Sequence, residues 1–163
     1  MATWATRRMS PVENGRDTAK FKTITTKAAE TFEQGALVLV EASAGGLVAA
    51  ECGADPASIA GVALAGVADY TWEDDTFNTV NPKTRIATAN QTFRGTMIGT
   101  WAETDEGVSY GVVDTSGIWT IDKSETSATR VTILRADDEV VAGDVNPPVE
   151  FVFLAANIQA IGG

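Results

Sequence analysis

The chain has no histidine in its 163 residues and a single cysteine, Cys52. The first absence removes the side chain that most often acts as general base near neutral pH. The two absences together exclude the usual zinc and copper sites, which are built from imidazole and thiolate. One cysteine forms no disulfide within a chain, and Cys52, next to Gly53, reads as a small apolar filler rather than a nucleophile. Long apolar runs are missing as well. The longest, IAGVALAGVA from Ile59 to Ala68, is far too short to cross a bilayer as a helix. The opening stretch, MATWATRRMSPVENGRDTAK, lacks the apolar centre of a secretory signal. A soluble, non-secreted protein without a membrane partner is therefore expected.

The missing histidine also decides the one motif with a catalytic look. Gly107 to Gly111, GVSYG, fits the G-x-S-x-G pattern that presents a nucleophilic serine on a strand-to-helix turn. A serine hydroxyl needs a neighbouring base to take its proton, and no imidazole exists to do so. The flanking residues, GVSYGVV and then the turn DTSG, read as a strand, so Ser109 is expected to be a strand residue. The acidic stretch DYTWEDDTF offers Asp69, Glu73, Asp74 and Asp75, but it lacks the ligand order and sharp-turn glycine of a calcium loop. It reads as a solvated loop. GVALAG has neither the lysine of a phosphate loop nor the glycine spacing of a dinucleotide fingerprint. Trp72, Phe77, Trp101, Tyr110 and Trp119 read as core residues, since no basic groove accompanies them as a base-stacking platform requires. No catalytic residue, metal ligand or cofactor site is assigned.

Charge is unevenly placed on a chain of net charge -10. Residues 1–27 carry six bases, Arg7, Arg8, Arg16, Lys20, Lys22 and Lys27, against Glu13 and Asp17. The remainder is strongly acidic, which argues against nucleic acid as a direct partner, because phosphate binding relies on a basic surface. Residues 1 to about 22 show no periodicity and read as an extended N-terminal arm. Trp4 stands out within it. An indole near a chain end gains only by docking, onto a partner or back onto its own domain.

From residue 23 to 163 the texture is that of one β domain, of a length that buries roughly 70% of its unfolded surface. KFKTITT alternates; GALVLVEA and LVAAE flank the turn SAGG as a hairpin; IAGVALAGVA resumes as strand. Val149, Phe151 and Phe153 share one face of a later strand. Turns recur at ETDEG, DTSG, RADDE and GDVNPP. TKAAETFEQ is too brief to be more than a helical turn. Short strands at even spacing predict an all-β fold, a small barrel or sandwich.

The stretch Thr31 to Val67, TFEQGALVLVEASAGGLVAAECGADPASIAGVALAGV, resembles the capsid cement, or head decoration, proteins of tailed bacteriophages. In those proteins a G-x-h-V … G … h-x-G-h-A pattern, with h apolar, marks successive strands of a small β-barrel. The resemblance implies a non-catalytic virion protein on the outer capsid surface, present in the host cytoplasm during assembly. Its partners would be the major capsid protein and two further copies of itself, the trimer locking neighbouring capsomers against internal DNA pressure. It further implies that the arm lies across capsid subunits, with Trp4, Arg7, Arg8, Arg16 and Lys20 as its contact residues. The second half, residues 68–163, either completes the barrel or forms an added lobe. Other readings are a tail-tube or head–tail joining subunit and a small β-barrel ligand-binding module.

Overall fold

The structure, a computed structural model, describes residues 1–12, 20–27, 30–44, 46–64 and 83–161. It is nearly all β, as the spacing of short runs and turns predicts. Among the described residues, helical structure is limited to 3-10 turns at Glu103–Asp105 and Ala155–Asn157.

After a two-residue strand, β1 (Ser10–Pro11), come β2 (Phe21–Thr26), β3 (Leu37–Ser43), β4 (Gly46–Glu51), β5 (Gly61–Ala63) and β6 (Lys83–Thr88). The hairpin read from GALVLVEA and LVAAE is present: β3 and β4 pair antiparallel from Val38↔Glu51 to Ser43↔Gly46. Gly46, at φ +116°, provides a backbone conformation at the turn that side chains disfavour. Strand β2 runs antiparallel to β6 and parallel to β4 at Thr25↔Val48, and β5 bridges β3 and β6. These pairings close a five-stranded barrel in the order β2-β4-β3-β5-β6. Small and branched side chains from both faces of its strands, among them Leu37, Val38, Ala49, Val62 and Ile86, are fully buried. Cys52 is also buried, and loss of hydration with the nearby Glu51 charge pushes its thiol pKa up to about 12. It occupies the place of a small apolar residue.

Residues 92–153 build a second ring rather than completing the first. Its strands are β7 (Thr92–Ile98), β8 (Ser109–Thr115), β9 (Ile118–Asp122), β10 (Val131–Ala136) and β11 (Pro148–Phe153). The turn DTSG joins β8 to β9 through Ser116 and Gly117 at φ 57° and 81°, the doubly left-handed geometry that matches strand twist in tight hairpins. β11 lies between β7 and β10, β10 meets β8, and β9 returns to β7 in parallel at Met97↔Ile121. Val149, Phe151 and Phe153 do share a buried face. Phe93, Phe151 and Phe153 pack with ring centroids 6.0, 5.2 and 5.5 Å apart, in the offset and edge-on arrangements that aromatic quadrupoles favour. Trp101, Tyr110 and Trp119 are core residues, whereas Trp72 and Phe77 lie outside the described residues.

A single apolar cluster runs through both rings, and the last residues tie them together. Ile158 bridges to Ile59, and the Gln159 side chain serves Val40 in the manner of a missing strand residue. Its Oε1 accepts from the Val40 amide at 2.7 Å while its Nε2 donates to the Val40 carbonyl at 2.6 Å. The Trp119 indole donates to Glu51 at 3.0 Å, and Arg130 pairs with Asp55 at 2.8 Å.

The first barrel closes tightly at Gly61, where an added Cβ would fall 2.0 Å from the Ala87 carbonyl oxygen. Gly61→Ala is expected to cost about 1–3 kcal/mol by overpacking, seen as a lower urea midpoint at unchanged slope. An unchanged midpoint would show that β5 and β6 do not approach this closely.

Candidate functional site

The residues expected to form a separate arm divide into three parts. Arg16 lies outside the described residues, and Lys20 sits at the edge of the first barrel. Residues 2–12, instead of standing apart from the domain, run along the second ring. Ser10 and Pro11 pair as β1 with Arg94 and Phe93 of β7, and the Val12 amide donates to the Thr92 carbonyl at 2.9 Å. Met9 is 1% exposed, within the common core. The crossing is close at Gly35, φ +87°, where a Cβ would lie 2.8 Å from the Cβ of Arg8.

Of the two options open for Trp4, the indole takes its own domain. Its Nε1 donates to Asp144 Oδ2 at 3.1 Å, and its amide donates to the Val145 carbonyl at 2.9 Å. The Ala2 amide reaches Asp144 Oδ1 at 2.6 Å. Asp144 is buried, and the donors from Ala2 and Trp4, then Val141, outweigh the effect of burial and hold its carboxyl below the usual range. Arg7 donates its amide to Thr96 Oγ1 at 2.8 Å and leaves its guanidinium 4.0 Å from Asp137. Arg8 holds Glu33 and the Gln34 carbonyl on the first barrel. Lys20 is fixed through its backbone, its amide donating to Gln91 Oε1 at 3.0 Å, and its side chain is exposed. Among the described residues, the predicted contacts Trp4, Arg7, Arg8 and Lys20 are thus spread along two barrels, not gathered into one patch.

The sequence reading missed the acceptors of this docking. Asp144 lies in GDVNPP, read only as a turn, and is 142 residues from Ala2. A buried acid between Gly143 and Asn146, both at positive φ, is a local sign of a built corner, but nothing local names its donors.

A second charged centre covers the outside of the second ring. Glu150, on β11, accepts from Arg135 at 2.9 and 3.1 Å and from Arg94 at 3.3 Å. Arg94 also approaches Asp137 at 3.2 Å. The Arg135 contacts come first in holding the Glu150 carboxyl below its ordinary value against the effect of burial, with Arg94 adding to them. A third carboxylate, Asp105, accepts from Tyr110 Oη at 2.6 Å, Lys123 Nζ at 2.7 Å and the Ala102 amide at 2.8 Å. Burial would raise its pKa, but these donors lower it, while burial and Asp105 push the Tyr110 phenol up to about 12.

Ser109 lies on strand β8, with its Oγ 2.8 Å from Thr132 Oγ1. Its hydrogen-bond partner there is a hydroxyl, which is not a base. The acidic group Asp69, Glu73, Asp74 and Asp75 lies outside the described residues. Among the described residues, no three carboxylate or thiol side chains converge to hold a metal ion. Compared with known proteins, the chain matches no family model, no curated protein and no solved structure.

Two predictions follow from this geometry. Met9→Ala should cost about 2–5 kcal/mol, the usual loss for a buried methionine, by urea unfolding; a loss under about 0.5 kcal/mol, the scale of surface changes, would make the segment a dispensable arm. The depressed carboxyls Asp144 and Glu150 contribute stability that is present above the ordinary carboxylate pKa near 4 and lost as pH falls through their lower folded values. The thermal midpoint should therefore drop below about pH 4, less steeply in Glu150→Gln. Parallel curves for the two proteins would remove Glu150 from this role.

Proposed function

We propose that the chain is a structural virion protein of the head-decoration kind. In this role it binds the outside of an expanded phage capsid and, as a trimer, ties neighbouring capsomers together against the pressure of packaged DNA. One observation carries the reading. The described part of the stretch that resembles the decoration proteins, Thr31 to Leu64, supplies the β3–β4 hairpin and β5 of a closed small barrel, the arrangement that the resemblance implies.

The physical character of the chain supports the same role. Both sheets close on themselves, leaving few of the open edges through which β proteins aggregate, and long-range pairing gives a body suited to bearing load. Arg8, Lys27, Arg94, Lys123, Arg130 and Arg135 are committed to ion pairs within the chain. The net charge of -10 disfavours direct contact with DNA, in keeping with the major capsid protein, the partner that the resemblance implies. A closed trimer would multiply weak single contacts by avidity.

Co-sedimentation with expanded, undecorated phage heads tests the proposal. Saturation at a copy number matching the three-fold positions, with added resistance to heat, is the expected result. Failure to bind, with self-assembly into rings or tubes, would instead identify a tail-tube or head–tail joining subunit. An inert monomer stabilised by a small ligand would identify a binding module.

A further inference from the structure

The indole nitrogen of a buried tryptophan usually finds an acceptor. Trp4 donates to Asp144 at 3.1 Å and Trp119 to Glu51 at 3.0 Å. Trp101 departs from that pattern: it is 4% exposed, yet its Nε1 has no acceptor among the described residues. The nitrogen is not among the enclosed polar atoms left without a partner, so the donor keeps an opening to the hollow that the ring lines. That hollow, of about 390 Å³, lies between the turn Glu103–Asp105 and the loop from β10 to β11. Glu103 and Glu106 line one side of it and Asp137 and Asp138 the other, while Val140 and Val141 add an apolar surface.

The charges differ in how far they are committed. Asp137 is held by Arg94 at 3.2 Å and faces Arg7 at 4.0 Å, and Asp138 lies 3.7 Å from Arg135. Glu103 and Glu106 are exposed and have no ion-pair partner among the described residues. Residues 99–144, which contain every lining residue, are all described. Both walls are fixed. On one, Asp105 accepts from the Ala102 amide at 2.8 Å and from Lys123 at 2.7 Å. On the other, the Val140 amide donates to the Asp137 carbonyl at 2.9 Å and the Gly143 amide to the Trp101 carbonyl at 2.9 Å. Little ordering is left to occur on binding, which lowers the entropic cost of filling the hollow.

We propose that this hollow docks an arginine-bearing segment of a partner polypeptide. The guanidinium meets Glu103 and Glu106, and its aliphatic stem lies along Val140 and Val141. A backbone carbonyl of the segment accepts from the Trp101 indole. Three features select this occupant together. Two unpaired carboxylates three residues apart suit the planar fork of a guanidinium better than the point charge of an ammonium. The unmet indole donor calls for an acceptor, which a metal ion or a simple amine does not carry, and no three carboxylates converge on a metal among the described residues. A phosphate backbone would be repelled by Glu103 and Glu106. The proposal rests on the decoration reading only for the partner's identity, as the face that would meet the capsid protein.

The test uses the full chain labelled with nitrogen-15 for NMR, titrated with a blocked peptide of alternating arginine and valine. Peptides with lysine or glutamate in place of arginine serve as comparisons. The expected result is a saturable shift of the Trp101 indole N–H, with shifts at the amides of Glu103–Glu106 and Val140–Ala142. The lysine peptide should bind more weakly and the glutamate peptide should leave these signals in place. The double variant Glu103→Gln, Glu106→Gln changes only exposed side chains and should bind the arginine peptide about fivefold or more weakly, its other signals staying where they are. An unmoved Trp101 indole, equal shifts with the glutamate peptide, or unchanged affinity in the double variant would overturn the site; equal affinity for the lysine peptide would overturn the choice of arginine. The double variant is then compared with wild type on undecorated heads. Weaker binding by the variant assigns this face to the capsid, and equal binding overturns that assignment. If the peptide binds while wild type ignores the heads, the site stands and the decoration reading fails.

Discussion

A β-strand carries hydrogen-bonding groups along two edges, and β7 uses both. β11 covers one edge from Thr92 to Thr96. On the other edge β9 reaches only Met97 and Ile98, leaving the groups near Phe93 and Arg94 to be met by β1. Unpaired backbone groups beside a core are costly, so the second ring depends on a segment more than 80 residues away in sequence. Pro11 fits there because β1 is an edge strand, where a missing amide breaks no ladder. Met9 then follows inward, and Gly35 of the first barrel stays bare to let the chain pass. Pairing on one strand thereby fixes the N-terminal path, a buried side chain and a contact between the barrels.

Three buried acids perform a related task. Asp144 gathers donors from the N-terminal residues and its own turn, Glu150 gathers arginines from the two strands flanking β11, and Asp105 gathers a tyrosine, a lysine and an amide. Each carboxylate repays its desolvation through several charge-assisted hydrogen bonds. Donors arrive from distant segments, so each acid favours one arrangement of strands over others. Part of the chain's acidity is therefore structural, and the composition alone cannot separate that part from solvated surface charge.

Legibility in the sequence follows sequence separation. The β3–β4 hairpin, the DTSG turn and the inward face of Val149, Phe151 and Phe153 were readable because each depends on neighbours and on a two-residue period. Ring closure was not, since β9 meeting β7 and Gln159 standing in for a strand beside Val40 involve pairings that leave no local mark. The same holds for the candidate contacts. Trp4 was recognisable as a residue that must dock, but its acceptor was not, and Arg7 and Arg8, expected to lie against capsid subunits, find acids of their own chain. Phe21 was visible as a strand residue, whereas its exposure and the Arg85 guanidinium 3.3 Å from the centre of its ring emerge only once β6 is placed beside β2.

Magnitudes decide which part of the molecule is free to meet a capsid in the proposed role. An exposed ion pair such as Arg8–Glu33, with both side chains at least 43% exposed, is typically worth about 0.2–1 kcal/mol. Exchanging it for a similar pair on a partner gains almost nothing. Lifting residues 2–12 away would also expose Met9, about 2–5 kcal/mol, and strip Asp144 of its Ala2 and Trp4 donors. A partner would have to rebuild all of these contacts before any net affinity appeared. Attachment that leaves residues 2–12 in place keeps the N-terminal strand where the second ring needs it, so stability and attachment do not compete for the same residues.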